Sequence, residues 1–220
     1  MITMRLWFTK TGEAAYISLL DLQRVMQRAF KRSGLPVWYT QGFNPHIYMT
    51  FSAPLALGQE SLCESLDFKT EAESFDWAAG CSLLTSCLPG GIKAVKIEPA
   101  GMDPGCIAAA CYTWTADAGA AENARLAAEA YNAADTVPVQ KKSKHKKVKE
   151  IDLKQYLPAL HWAQQPDGTA AAQVTLPAGS TLTVNPALVL SWLCEHSALQ
   201  PWQIRILRTG LCTGEGKAFR

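Results

Sequence analysis

Residues 99–105 read PAGMDPG, with two prolines and two glycines in seven positions. Proline fixes φ and has no N–H to donate, and glycine adds conformational freedom, so neither a helix nor a strand runs through such a stretch. It cuts a 220-residue chain into two parts of about 100 residues, each long enough to bury a core. The expected division is a unit at 1–98, a linker at 99–106 and a second unit at 107–220.

Before the linker, short strand-like and longer helix-like segments alternate. Arg5 to Thr9 reads as a strand. A helix is expected from Ser18 to Ser33: Ser18 can cap its free N–H groups, Asp21 puts negative charge in the first turn, and Gly34 with Leu35-Pro36 stops it. Its apolar face is Leu22, Val25, Met26, Ala29 and Phe30; the other side carries Arg24, Arg28, Lys31 and Arg32. The segment WYTQGFNPH is a shaped loop, because Gly42 allows an unusual backbone angle while Pro45 holds Asn44 extended. Ile47 to Ser52 and Leu62 to Thr70 read as strands, although Glu64 interrupts the apolar alternation of the second. A helix follows at 74–88, with Phe75, Ala78, Ala79, Leu83 and Leu84 on one side, then a strand at 92–98 with Ile92, Ala94, Lys96 and Glu98 on one alternation.

The order βαββαβ predicts an α+β fold with a ferredoxin-like, or split βαβ, unit whose helices cover one sheet face. The other face is left for a partner, a second domain or nucleic acid. After the linker the cycle recurs with an extra strand and long turns, so the chain reads as two ferredoxin-like units, the second elaborated by a basic insertion.

That insertion carries the charge asymmetry. Through Asp135 there are 10 Lys and Arg against 14 Asp and Glu; from Thr136 on there are 11 against 5. Six of these cations, Lys141, Lys142, Lys144, Lys146, Lys147 and Lys149, fall within QKKSKHKKVKE. Such density attracts polyanions and binds phosphate without reading sequence; a solvated, self-repelling loop and a contact for an acidic protein are the alternatives.

Hydrophobic residues make up 48% and charged residues 18%, which fits a folded globule and excludes coiled-coil, collagen-like and wholly disordered chains. The opening MITMRLWFTK lacks the apolar run of a signal peptide, and no stretch reaches the roughly 18 uninterrupted apolar residues of a membrane span. A cytoplasmic location is expected, with the seven cysteines reduced. No nucleotide-binding glycine fingerprint, phosphate loop, nucleophile elbow or zinc-protease motif occurs. The cysteines form no C-x-x-C and no iron–sulfur triad, and His46, His145, His161 and His196 show no paired spacing. No metal and no cofactor is expected. For His46 three roles stay open: a hydrogen bond that locks its loop, contact with a polyanion or partner, and acid/base chemistry.

The block YISLLDLQRVMQRAFKRSGLPVWYTQGFNPHIYMTFSAPLALGQES, together with the ending PWQIRILRTGL, resembles the bacterial radical-SAM-linked protein family, whose domain of unknown function occurs beside or fused to radical-SAM proteins. Where that family has Ser-His-Leu-Asp, this chain has Ser18-Leu19-Leu20-Asp21, which argues against an indispensable catalyst at Leu19. The resemblance implies a partner protein that owns the radical chemistry, consistent with the missing cysteine triad here.

The leading expectation is an accessory protein that binds or presents RNA and is not catalytic by itself. Arg24, Arg28, Lys31, Arg32 and the lysine run would contact phosphates, with Asn44 and His46 in the adjacent loop and Trp38, Tyr39 or Phe43 stacking on bases. A protein-interaction scaffold without RNA is the alternative, since aromatic and arginine-rich surfaces suit protein interfaces equally. A metal-independent RNA-processing enzyme is the third, with His46 transferring a proton and Arg28 or Lys31 stabilising phosphate charge.

Overall fold

Met4, Leu6 and Phe8 alternate along the first strand, β1 (Ile2–Lys10), and all three are buried in the core of a computed structural model that describes residues 1–142 and 148–220. The chain is a mixed α+β protein that divides into two compact units, Met1–Ile107 with Arg208–Arg220, and Ala108–Leu207. The periodic segments put 107–220 in one unit; packing returns 208–220 to the first.

In the first unit β1 is followed by α1 (Leu19–Ser33), β2 (Met49–Phe51), β3 (Glu60–Thr70), α2 (Trp77–Cys87) and β4 (Ile92–Pro99). All pairings are antiparallel and the strand order is β4-β1-β3, with β2 paired to β3. Leu22, Met26, Ala29 and Phe30 of α1 and Cys81 and Leu84 of α2 pack on Met4, Leu6, Phe8, Leu66 and Phe68. Each such large apolar side chain contributes about 1.5–3 kcal/mol of burial. Ser18 caps α1 by accepting from Asp21 N–H at 3.2 Å, and Gly34 ends it in the left-handed region at φ 68°.

Two sequence expectations are corrected here. The apolar side of α2 is Gly80, Cys81 and Leu84, while Ala78, Ala79 and Leu83 are exposed. Ala and Leu are too evenly spread along this short helix for periodicity to choose a face. In β4, a register shift lets Ile97 pair with Leu6 while Ala94 pairs with Phe8. The extra residue of this bulge exposes Lys96 and buries Ile97, reversing the alternation halfway along the strand.

The interruption at Glu64 is an ion pair. Arg208 Nε donates to Glu64 Oε1 at 3.1 Å, its Nη2 donates to the same carboxylate and to Ala53 O at 2.6 Å, and both side chains are 3% exposed. Lys10, also buried, donates from Nζ to Ala15 O at 3.1 Å. Burial holds the Lys10 amine below its ordinary value of 10.5; Glu64 raises it and Arg208 lowers it. The native state therefore releases this proton at lower pH than the unfolded chain does. Below the native pKa the destabilising contribution is present in full, and it diminishes as pH rises from that pKa towards 10.5. Urea midpoints of wild type and Lys10→Met at about pH 7 and about pH 10 are expected to show wild type gaining on the variant at the higher pH. A constant difference would contradict this.

The opposite face of the sheet is partly covered by the chain itself at Arg5. Arg5 and its register partner Asp67 are joined by two hydrogen bonds of 2.7 and 2.8 Å, and Arg5 donates to Met102 O at 2.9 Å. The Phe219 ring lies 4.6 Å from the Arg5 guanidinium and 5.7 Å from the Trp7 ring. Residues far apart in sequence thus cover part of this face, a contact invisible to local periodicity.

The second unit contains β5 (Ile107–Ala116), α3 (Ala121–Ala133), the hairpin β6 (Pro138–Lys142) and β7 (Val148–Asp152), then β8 (Ala163–Gln164), β9 (Ala170–Pro177), α4 (Pro186–Glu195) and the start of β10 (Ile204–Thr213). β9 pairs antiparallel with β5 and β8. Tyr112, Trp114, Val174 and Leu176 are buried along the two long strands, and Ala124, Ala127, Ala128 and Tyr131 along α3. Asn185 caps α4 by accepting from Ala187 N–H at 3.0 Å, ahead of a first-turn proline.

Candidate functional site

The amphipathic pattern of α1 buries one side and displays cations on the other, and the structure sorts those cations. Arg24 Nη1 donates to Asp21 Oδ1 at 2.9 Å. The Ser18 hydroxyl, donating to Asp21 at 2.7 Å, and then Arg24 hold that carboxyl below its usual range. Arg32 Nη2 donates to Cys87 O at the carbonyl end of α2. Arg28 and Lys31 are exposed and have no hydrogen bond or ion pair among the described residues. Together with Val25 and Arg32 they line a groove of about 650 Å³, closed on its other side by residues 86–89. No carboxylate lines it among the described residues, so the local field is positive and suits an anion.

The loop after α1 forms a second cluster. Thr40 N–H donates to His46 O at 2.8 Å, His46 N–H donates to the Thr40 hydroxyl at 3.1 Å, and Tyr39 forms a β-bridge with Ile47. His46 Nδ1 lies 3.1 Å from both Asn44 O and Thr40 Oγ1. A carbonyl only accepts, so the bond to Asn44 O is donated by Nδ1–H. His46 locks its loop through these bonds. Gly42 sits at φ 145° and the next residue, Phe43, has a fully exposed ring.

Trp38 and Tyr39 line a separate pocket of about 330 Å³ with Gln41 and Glu71. The Lys69 ammonium lies 5.7 Å from the Trp38 ring and 4.6 Å from the Tyr48 ring. Sequence reasoning missed Gln41, Tyr48, Lys69 and Glu71. The available signal was the outward position of Lys69 on β3, immediately before the turn that carries Glu71.

The structure therefore gathers Arg28, Lys31 and Arg32 in one groove, and Trp38 and Tyr39 in another pocket. Arg24 is engaged along its own helix, and Asn44 lends its carbonyl to the His46 lock. Of the lysine run, Lys141 and Lys142 lie on β6 and Lys149 on β7, with Lys141 and Lys149 paired in register. Lys144, Lys146 and Lys147 lie outside the described residues. Among the described residues no group of three or more His, Cys, Asp or Glu is placed to hold a metal ion, and no helix is long and apolar enough to cross a membrane.

The family described as "Uncharacterized protein conserved in bacteria (DUF2344)" matches residues 3–186. No curated protein matches the chain.

Proposed function

The chain belongs to the bacterial DUF2344 family, and from that premise we propose that it is an accessory protein that holds single-stranded RNA for a separate radical-SAM enzyme. The observation that carries the RNA reading is the α1 groove, where Arg28, Lys31 and Arg32 stand without a carboxylate among the lining residues. Ammonium and guanidinium groups there would position the RNA through its phosphates, and the exposed Phe43 ring offers a stacking surface for a base. The lysine run at 141–149 would supply a further phosphate contact. The radical-SAM partner rests on the resemblance of the block from Tyr16 to Ser61. The first unit is read as ferredoxin-like, supported by its order β1-α1-β2-β3-α2-β4 and its antiparallel pairings; the second is an elaborated version.

A protein-docking scaffold is the second reading, favoured by the strongly exposed Tyr16, Leu20 and Leu57. Segments 15–16 and 57–58 are joined there by the Gly58 N–H to Ala15 O bond of 2.9 Å. Affinity capture of the native protein, with and without nuclease, separates the two. Recovery of RNA that nuclease removes is the expected result; partners retained unchanged after nuclease, with no RNA recovered, would overturn the RNA reading.

A further inference from the structure

The pocket beside the loop differs in chemistry from the cationic groove. Its volume of about 330 Å³ is at the small end of ligand pockets, which run from about 300 to 1,000 Å³; it suits one base and excludes a duplex. Glu71 is the single charged residue of its lining, and a carboxylate repels phosphate. The Lys69 ammonium, 5.7 Å from the Trp38 ring, repels a cation stacked on that ring. What remains favourable is a neutral, planar ligand with hydrogen-bond donors at its edge.

Gln41 and Glu71 make no hydrogen bond within the chain among the described residues, so both keep their polar groups for a ligand. A carboxylate presents two acceptor oxygens side by side. Among the unmodified RNA bases, guanine alone offers two neighbouring donors, N1–H and the 2-amino group, on its Watson–Crick edge. Adenine and cytosine offer one amino group each, and uracil one ring N–H. The Gln41 amide can donate to the guanine O6 acceptor, and the Trp38 and Tyr39 rings supply stacking surface, the usual means of holding a splayed-out RNA base.

We propose that the pocket lined by Trp38, Tyr39, Gln41 and Glu71 receives one unpaired guanine, with Glu71 accepting from N1–H and the 2-amino group. This deepens the RNA reading and rests on it: the α1 groove holds phosphates, and this pocket sets a preference for one base.

The test is calorimetric titration of the full chain with GMP, IMP, AMP, CMP and a mixed-sequence single-stranded RNA at one ionic strength, on wild type, Glu71→Gln and Arg28→Gln/Lys31→Gln. IMP keeps N1–H and lacks the 2-amino group. GMP is expected to bind about tenfold or more tightly than the other three nucleotides, and Glu71→Gln to abolish that preference. The groove variant is expected to keep the preference while losing RNA affinity. Equal affinity for all four nucleotides, or no saturation by GMP up to about 10 mM, would overturn the guanine pocket. If wild type still binds RNA in that case, the pocket alone fails; if it binds neither, the RNA reading fails with it.

Discussion

Arg208→Met is expected to destabilise the protein by about 3–5 kcal/mol, the usual range for removing one partner of a buried ion pair. Arg208 and Glu64 are each 3% exposed, and the guanidinium also bonds Ala53 O. Its loss leaves a carboxylate in the core with Lys10 as the nearby opposite charge, coupled to it electrostatically. Glu64→Leu strands Lys10 and Arg208 together and is expected to be at least as damaging. The double variant Glu64→Leu/Arg208→Met removes both buried charges of the pair and is expected to cost less than the two single changes added together. Urea denaturation of the three variants measures this. A shift within about 0.5 kcal/mol for Arg208→Met, typical of a surface substitution, would contradict it. The same contact ties Arg208 to β3 within the first unit.

Much of the first unit was legible because its signals are local. Ser18, the 3.6-residue apolar spacing from Leu22 to Phe30, and Gly34 define α1 within a residue or so of its observed bounds. What was hidden depends on contacts between distant residues. Nothing local in β4 announces the bulge that turns Ile97 inward, because the cause is its register against β1. Glu64 looked like an imperfection in an apolar strand; its partner lies 144 positions away. No local signal pairs Arg5 with Asp67, 62 positions away, or brings Met102 and Phe219 against Arg5.

The candidate site was legible as residue types and only partly as geometry. Helical spacing correctly set the cations of α1 apart from its buried side. It could not show that Asp21 engages Arg24 or that Arg32 reaches the end of α2, since the second contact requires the packing of two helices. Trp38 and Tyr39 were visible as aromatics, but the pocket needs Glu71, which follows β3.

Arg28 and Lys31, the two α1 cations without a hydrogen bond or ion pair among the described residues, are the proposed holders of RNA phosphates. Both are exposed, so Arg28→Gln/Lys31→Gln is expected to leave folding unchanged. Each phosphate contact to a single strand contributes about 0.7 to the slope of log K against log salt, so losing two lowers the slope by about 1.4. If the salt-independent affinity is unaffected, that corresponds to a loss of about 25-fold at about 0.1 M salt. Because these contacts read no base, the loss is expected to be similar across sequences. Replacing the six lysines from Lys141 to Lys149 by glutamine is expected to lower the slope further if that run also touches phosphate. The most direct measurement is the titration of single-stranded RNA with wild type and Arg28→Gln/Lys31→Gln at several salt concentrations. The account predicts the 25-fold loss and the shallower slope; an unchanged affinity and slope, or no binding by wild type, would contradict it.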